Sequence, residues 1–502
     1  MSYLLGIDLG TTSVKCVLFD QKGEIVASGR SEYELSMPRP EFVEVEAETY
    51  WSALKGSLEV VLSLSKADAK DIRGIGVSSQ GETFIALGKD CKPLGRAIVW
   101  LDNRAKEEAR LIKEEFGVDE AYRITGQNDI VPTWTATKIL WLKRNEPLLF
   151  ERVNKYLLLE DYVIYRLTGK FVTEHSILSS SLLFDINHRK WWEEILHLLG
   201  ISEDQLPEPK HSGVPVGNLT PKAAKETGLS TSSIVSTGAY DQAANAIGAG
   251  NIETGVITET TGAAMALVAT TERIILDPLR RMPCHHHAVR GKYFLQPWCQ
   301  TAGTILRWYR DNFGTLEVED AKKTGADPYD LLTAEASGIP PGSDGLILLP
   351  HFMGAASPEL NPDAKGVLFG LTPYHGKGHF VRAIMESVAY MLRRNVELLE
   401  ELGIKVREIR STGGASKSDL WNQIKADVLR RPILAVRGEE VAALGVAMLA
   451  GVATGAFASL EDAGKSMVSL KERLAPSQTN VEIYDERYKR YVELYYSVEK
   501  LF

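Results

Sequence analysis

The chain has 502 residues, enough at roughly 150 per domain for about three folded units, or for two of about 250 residues if these are large α/β domains. With 44% hydrophobic, 25% charged and 8% aromatic residues it can bury sizeable cores, which excludes disorder over most of its length. Lys+Arg 57 against Asp+Glu 66 leaves a formal charge of −9 and no long basic run, which speaks against nucleic acid or an anionic membrane as the main partner.

The opening MSYLLGIDLG lacks a basic n-region and is interrupted by Asp8, so it does not read as a signal peptide. No stretch of about 18 apolar residues occurs, so no span of a bilayer is expected. Cys16, Cys91, Cys284 and Cys299 are too scattered for a disulfide framework, which points to a reducing, cytosolic compartment.

In chain order, Tyr3 to Asp8, Ser13 to Phe19 and Glu24 to Gly29 are short runs rich in Val, Ile and Leu, and predict a β-meander. Gly10-Thr11-Thr12 turns the first into the second, and Asp20-Gln21-Lys22-Gly23 the second into the third. Further strands are predicted at Arg73 to Ser78 and Ile234 to Ala239. Between them Thr220-Pro221 announces a helix that Gly228 closes. After Gly248-Ala249-Gly250 the opening pattern returns: Val256 to Glu259, the turn Thr260-Thr261-Gly262, then Ala263 to Ala269. Ile384, Met385, Val388, Leu392, Val396 and Leu399 recur at helical spacing and predict one long amphipathic helix from Phe380 to Leu402. Strands alternating with helices in both halves give an α/β architecture, with domains 1–247 and 248–502 expected to pack across a cleft.

Several turns carry chemistry. Asp8-Leu9-Gly10-Thr11-Thr12-Ser13 offers backbone N–H and hydroxyl donors to phosphate oxygens, with Gly10 permitting close approach. Asp8, at a strand end, offers a hard oxygen to Mg²⁺. No Gly-Lys-Ser/Thr opens a helix, so this is no P-loop. Thr260-Thr261-Gly262 is a second turn of the same kind. Gly413-Gly414 follows the strand Arg407 to Ser411 and precedes a helix from about Ser418 to Leu429, which suits a flat ring and negative charge. Asp241 follows a strand, where a carboxylate either caps a helix or takes a proton from a substrate hydroxyl, and Gln242 beside it can donate and accept. Ser78-Ser79-Gln80-Gly81-Glu82 is polar and suits several hydroxyls. Cys284-His285-His286-His287 looks metal-binding, but alternate residues of an extended chain point to opposite faces, so zinc is not expected. Arg393-Arg394 and Arg430-Arg431 read as solvated faces and helix C-terminal charges.

Taken in this order, the pieces resemble the FGGY carbohydrate kinases, the family of glycerol, xylulose, ribulose and gluconate kinases. Thr135 to Asn145 resembles the family's first characteristic segment, with a departure at Thr133. Gly366 to Leu371, then seven residues, then His379 to Glu386 resembles the second. Asp161-Tyr162 with Leu167-Thr168-Gly169, Phe184-Asp185, Trp191, and Glu440 with Ala443-Leu444-Gly445 extend the likeness over nearly the whole chain.

The resemblance implies two actin-like, ribonuclease H-like domains with a nucleotide and substrate cleft between them, closing over ATP and a small sugar or polyol. It implies Asp8 near Mg²⁺ and Thr11, Thr12 and Ser13 facing the β- and γ-phosphates, with Lys15 where glycerol kinases place an Arg. Thr261 and Gly262 would form the second phosphate turn, Gly303 would line the nucleotide, and Gly413, Gly414 and Ser418 would take the adenosine. Asp241 would be the catalytic base and Gln242 a substrate contact, beside Gln80, Gly81 and Glu82. A homodimer is the expected assembly.

Xylulose kinases usually show Gln-Met-His-Gly where this chain has Gln80-Gly81-Glu82-Thr83, and glycerol kinases show Gln-Arg-Glu-Thr. Glu82 therefore matches the glycerol kinases, whereas Gly81 and Thr133 replace a bulky Arg and Tyr. Loss of that bulk favours an acceptor larger than glycerol, such as a ketopentose of the xylulose type. The opening also resembles the 70-kDa heat-shock chaperones, but the chain lacks their Asp-x-Gly-Gly-Gly-Thr turn. A silent sugar sensor would not need Asp8 and Asp241 together.

Overall fold

The computed structural model describes residues 2–502, packed as two compact units. The first comprises the chain up to Ile252 together with Thr270–Phe294 and Glu440–Ser469; the second comprises Glu253–Ala269, Leu295–Glu439 and Leu470–Phe502.

The first unit is built on a seven-stranded sheet. Its order is Pro215–Asn218, Ile234–Ser236, Ile72–Ser79, Tyr3–Leu9, Ser13–Phe19, Ile25–Glu32, with the short strand Ala239–Tyr240 pairing beside Ile72–Ser79. The first three strands of the chain form the expected meander, antiparallel throughout. Tyr3–Leu9, Ile72–Ser79 and Ala239–Tyr240 run parallel. Leu5, Ile7, Leu9, Val14, Cys16, Leu18, Ile75 and Val77 are buried and meet Tyr50, Trp51 and Leu54 of the helix Ala47–Ser65. The strand expected from Ile234 to Ala239 is two pieces, Ile234–Ser236 and Ala239–Tyr240. The break falls at Thr237-Gly238, where the chain comes so close to Val77 that a Cβ on Gly238 would stand 1.6 Å from its carbonyl oxygen. Thr220 caps the helix Pro221–Thr227 by accepting from the Ala223 N–H, and Gly228 ends it at φ 74°.

In the second unit Val256–Thr261 forms an antiparallel hairpin with Met265–Thr271, whose residues up to Ala269 belong to this unit. Val256–Thr261 runs parallel to Glu408–Thr412, which runs parallel to Ile433–Ala435. The long helix spans Lys377–Glu401, and the six apolar residues that predicted it are all buried. Of the arginine pairs, Arg430 is exposed at the C-terminal end of the helix Asp419–Leu429, as expected, whereas Arg393, Arg394 and Arg431 are half-buried in ion pairs. Arg393 bonds Glu397 and Asp485, Arg394 bonds Glu359, Arg430 bonds Asp485, and Arg431 bonds Glu400. Glu397 lies one turn along the same helix as Arg393, but Asp485, Glu359 and Glu400 are distant in sequence, and spacing within one helix cannot reveal them. Among the described residues no helix is long and apolar enough to cross a membrane.

Candidate functional site

In each unit parallel strands end side by side, and the next residue of each chain segment lies beyond the last rung, a position open to ligand in α/β sheets. In the first unit Asp8 shares a rung with Lys15 on one side and Ser78 on the other, while Ser78 pairs with Ala239. One rung on, Leu9, Ser79 and Tyr240 close the sheet. Gly10, Gln80 and Asp241 therefore leave the same edge of the sheet.

Three carboxylates feel one another there. Burial pushes the Asp8 carboxyl up to about 6, with Glu440 raising it and Lys15 and Ser78 holding it down. Asp241 is pushed up to about 8, by burial first and then by the negative charges of Asp8 and Glu82, against the opposing N–H donors of Gln242. Its Oδ1 is cut off from solvent and has no hydrogen-bond partner. Glu82 is raised by burial, with Lys138 and the Ser180 hydroxyl opposing. Gln80 donates from Nε2 to the Tyr50 hydroxyl at 3.4 Å, which leaves its Oε1 buried and unpartnered, as is the Oε1 of Gln242.

Unpartnered buried oxygens on Gln80, Asp241 and Gln242 are costly in a finished core, and hydroxyls of a ligand would satisfy them. Asp8 and Asp241 raise the local negative charge, which fits a hard cation. Among the described residues no group of three or more His, Cys, Asp or Glu side chains is arranged to hold a metal ion. The two carboxylates Asp8 and Asp241 are a donor set that suits Mg²⁺, which binds through one or two carboxylates and keeps several waters.

In the first turn Thr12 is exposed and Ser13 buried, and Gly10 N–H donates to the Ser13 carbonyl at 3.0 Å. Lys15 Nζ donates to Glu440 Oε2 at 2.8 Å, so its charge is already balanced within this unit. Gly81 offers no free volume: a Cβ there would stand 2.6 Å from Ser180 Oγ and 3.2 Å from Tyr240 Cε2. The room expected from the missing arginine is filled by these two neighbours, which removes half of the size argument for a larger acceptor.

Two residues join the site that spacing did not single out. Trp100 donates from Nε1 to the Thr11 hydroxyl and from its backbone N–H to the Thr83 hydroxyl, each at 3.0 Å, tying the first turn to the segment after Gln80. Lys138, fully buried, donates to the Val99 carbonyl at 2.8 Å and, at 3.4 Å, to the Glu82 carbonyl. The available signal was the alternation of Trp100, Asp102 and Arg104 at a strand exit, where the Asp102–Arg104 ion pair fixes the loop. Of the three histidines, His285 meets Gln127 Nε2 at 3.3 Å and His286 meets the Ile186 carbonyl at 2.9 Å, on different neighbours.

In the second unit Thr260 pairs with Thr412, so Thr261-Gly262 and Gly413-Gly414 leave adjacent parallel strands. The Thr261 hydroxyl donates to Glu259 Oε2 at 2.6 Å and accepts from Lys425 Nζ at 3.2 Å. Lys425 also bonds Glu259 Oε1 at 2.5 Å, and both side chains are fully buried. Ser411 donates to the same Glu259 oxygen. Gly413 has φ 78°, and a Cβ on it would stand 2.7 Å from the Thr261 carbonyl oxygen, so the two turns lie against each other. Gly303 opens the helix Gly303–Phe313 and donates its N–H to the Gly262 carbonyl at 2.9 Å. Ser418 caps the helix Asp419–Leu429 by accepting from the Trp421 N–H. The structure thus brings Thr261, Gly262, Gly303 and Gly413 together in one unit, and Asp8, Gln80, Gly81, Glu82, Asp241 and Gln242 in the other.

Residues 3–248 match the model of the FGGY family of carbohydrate kinases, N-terminal domain, and residues 256–454 that of its C-terminal domain. The chain is 32% identical over 495 residues to the xylulose kinase of Bacillus subtilis (strain 168), covering 99% of this chain and 97% of that one. It is 31% identical over 504 residues to the gluconokinase of Bacillus licheniformis, covering 99% and 96%. Among solved structures, the ligand-bound xylulose kinase of Lactobacillus acidophilus superposes with a TM-score of 0.89 at 27% identity, with 99% of each chain covered.

Proposed function

Because the chain belongs to the FGGY family of carbohydrate kinases, phosphotransferases built on two actin-like domains, we propose that it transfers a phosphoryl group from ATP to a terminal primary hydroxyl of a small sugar or polyol, a ketopentose of the xylulose type before others. The observation that carries this reading is Asp241: a carboxylate beyond the end of a parallel strand, with one unpartnered oxygen, beside Asp8 and Glu82.

In this reading Asp241 accepts the proton of the acceptor hydroxyl as that oxygen attacks phosphorus, and Gln242 fixes its orientation. Gln80, Glu82 and Gln242 bind the remaining hydroxyls. Asp8 would hold Mg²⁺, which when bound supplies positive charge to the phosphates and offsets the repulsion that disfavours ionised Asp241. The first turn, Gly10 to Ser13, meets the phosphates with backbone N–H groups and the Thr12 hydroxyl, and Lys15 reaches them only by leaving Glu440. The Thr261 hydroxyl is engaged inside its own unit, so the second turn, through Gly262, meets phosphate with its backbone. Gly303, Gly413, Gly414 and Ser418 line the adenosine side. Glu82, which stands where the resemblance puts the Glu of the glycerol kinases' Gln-Arg-Glu-Thr, favours a smaller polyol as the second reading.

The test is ADP release with Mg-ATP over xylulose, ribulose, gluconate, glycerol, erythritol and hexoses, with the product identified. Xylulose phosphate formed in step with ADP supports the first reading and glycerol phosphate the second. ADP release at background with every acceptor would overturn both.

A further inference from the structure

Asp241 is presented by a piece of chain that has left the regular ladder. Between Ile234–Ser236 and Ala239–Tyr240 the strand is broken, and a broken strand leaves backbone N–H groups that must find partners off the sheet. Gly238 N–H donates to Glu160 Oε1 at 3.1 Å. Tyr240 N–H donates to Ser176 Oγ at 3.1 Å, and Ser176 Oγ donates onward to Glu174 Oε1 at 2.7 Å. Both carboxylates and Ser176 are fully buried.

Each acid is itself held. Glu160 opens the helix Leu159–Thr168 on its second residue, so its side chain starts from a fixed backbone. Glu174 accepts from the backbone N–H groups of Ser176 and Ile177, at 2.7 and 2.5 Å, and from the Ser212 hydroxyl at 2.6 Å. Ser180, one turn beyond Ser176, packs against Gly81 and opposes protonation of Glu82. The segment from Glu174 to Ser180 therefore touches both arms of the acceptor site, the Asp241 arm through Ser176 and the Glu82 arm through Ser180.

From this arrangement we propose that Glu160 and the Glu174–Ser176 pair are positioning residues, which hold Gly238 and Tyr240 so that Asp241 meets the acceptor hydroxyl. Leaving two carboxylates in a core is expensive, and a neutral core residue would serve packing better. What packing cannot supply is an acceptor for each N–H three and one residues before the base. Small displacements of a group that holds a reacting residue are amplified: a shift of about 1 Å can cost about 10²-fold in rate. The inference rests on the reading of Asp241 as the base, and its test separates the two.

The assay uses the full chain with Mg-ATP and whichever of xylulose, gluconate or glycerol releases ADP fastest. Asp241→Ala comes first, because wild-type turnover in that variant would remove the base and leave nothing to position. With the base established, Glu160→Leu is expected to lower kcat about tenfold or more at unchanged KM for ATP, whereas Glu160→Gln, which keeps an acceptor for Gly238, stays within about twofold of wild type. In an Asp241→Asn background Glu160→Leu should cost little further turnover, because its effect passes through the base. A full additional loss there marks a structural role and overturns the proposal. Should Glu160→Leu not fold, Ser176→Ala decides: a kcat reduced about threefold or more with a cooperative melt supports the proposal, and wild-type kcat overturns it.

Discussion

A carboxylate that takes a proton must first be ionised, and Asp241 stands where ionisation is penalised by burial and by the charges of Asp8 and Glu82. Function and stability therefore pull this residue in opposite directions. Asp241→Ala is expected to reduce turnover by about 10²–10⁴-fold, since that is what a general base contributes, with nucleotide binding retained because Asp241 is proposed to touch the acceptor and not the nucleotide. Titration of ATP binding by calorimetry beside steady-state assays checks both halves. The linkage to folding has a definite sign. The folded carboxyl protonates near 8 whereas an unfolded aspartate does so near 3.8, so between those values the folded state binds more protons and stability falls as pH rises. Asp241→Asn removes that loss. In Mg²⁺-free buffer its melting temperature should exceed that of the native chain by a margin that is small near pH 4, grows up to about pH 8, and is level above. A margin that does not change with pH would show that Asp241 ionises normally in the fold.

The elements around the turns proposed to hold the nucleotide depend on one buried pair. Lys425 Nζ meets Glu259, Thr261 and Ser411, so a single ammonium braces the strand Val256–Thr261, its turn, and the strand Glu408–Thr412 that leads to Gly413. Lys425→Met leaves the Glu259 carboxylate with its hydroxyl donors but no counter-charge, and should destabilise the fold by about 3–5 kcal/mol; adding Glu259→Gln to it should recover a large part, because the cost lies in the unbalanced charge. Denaturant unfolding of the three variants measures this. Gly413→Ala is a sharper probe of the turn: φ 78° and the Thr261 carbonyl at 2.7 Å both oppose a side chain, so weaker ATP binding is expected with the acceptor KM little changed. The strands and turns themselves were legible in the residues, because each is a local pattern: Val and Ile runs ended by Gly and Thr, or Ile384 to Leu399 at helical spacing. The family likeness was legible too, since its segments are long and contiguous. Lys425 and Glu259 lie 166 residues apart, and Glu160 and Gly238 lie 78 apart, and no local pattern announces such partners. Gly81 misled for the same reason, since its space is filled by Ser180 and Tyr240, both distant in sequence.

At the scale of the whole molecule the chain returns to the first unit after it has built most of the second. The helix Val441–Ala453 is apolar all round and belongs with the opening sheet, not with the residues up to Glu439 that precede it. Gly6 and Gly76 lie so close to it that a Cβ on either would stand 2.0 Å from the carbonyl oxygen of Ala443 or Val446. On another side Gly445 makes the same approach to Ala244, in the helix Asp241–Gly248 that begins with the proposed base. A helix buried between a sheet and a second helix is part of the core, and without it the apolar surfaces of both would face water. A chain ending at Ile252 is therefore expected to lack a cooperative thermal transition and to bind hydrophobic dyes, whereas a chain that carries residues 440–469 joined after Ile252 by a flexible linker should regain a sigmoidal melt. The substitution Gly445→Val tests the same contact in the full chain: a valine side chain cannot fit against the Ala244 carbonyl, so the two helices must separate and Asp241 must move with its own. Its loss of kcat should then exceed what its change in melting temperature accounts for at the assay temperature, and activity that follows the folded fraction alone would limit the helix to a stabilising role.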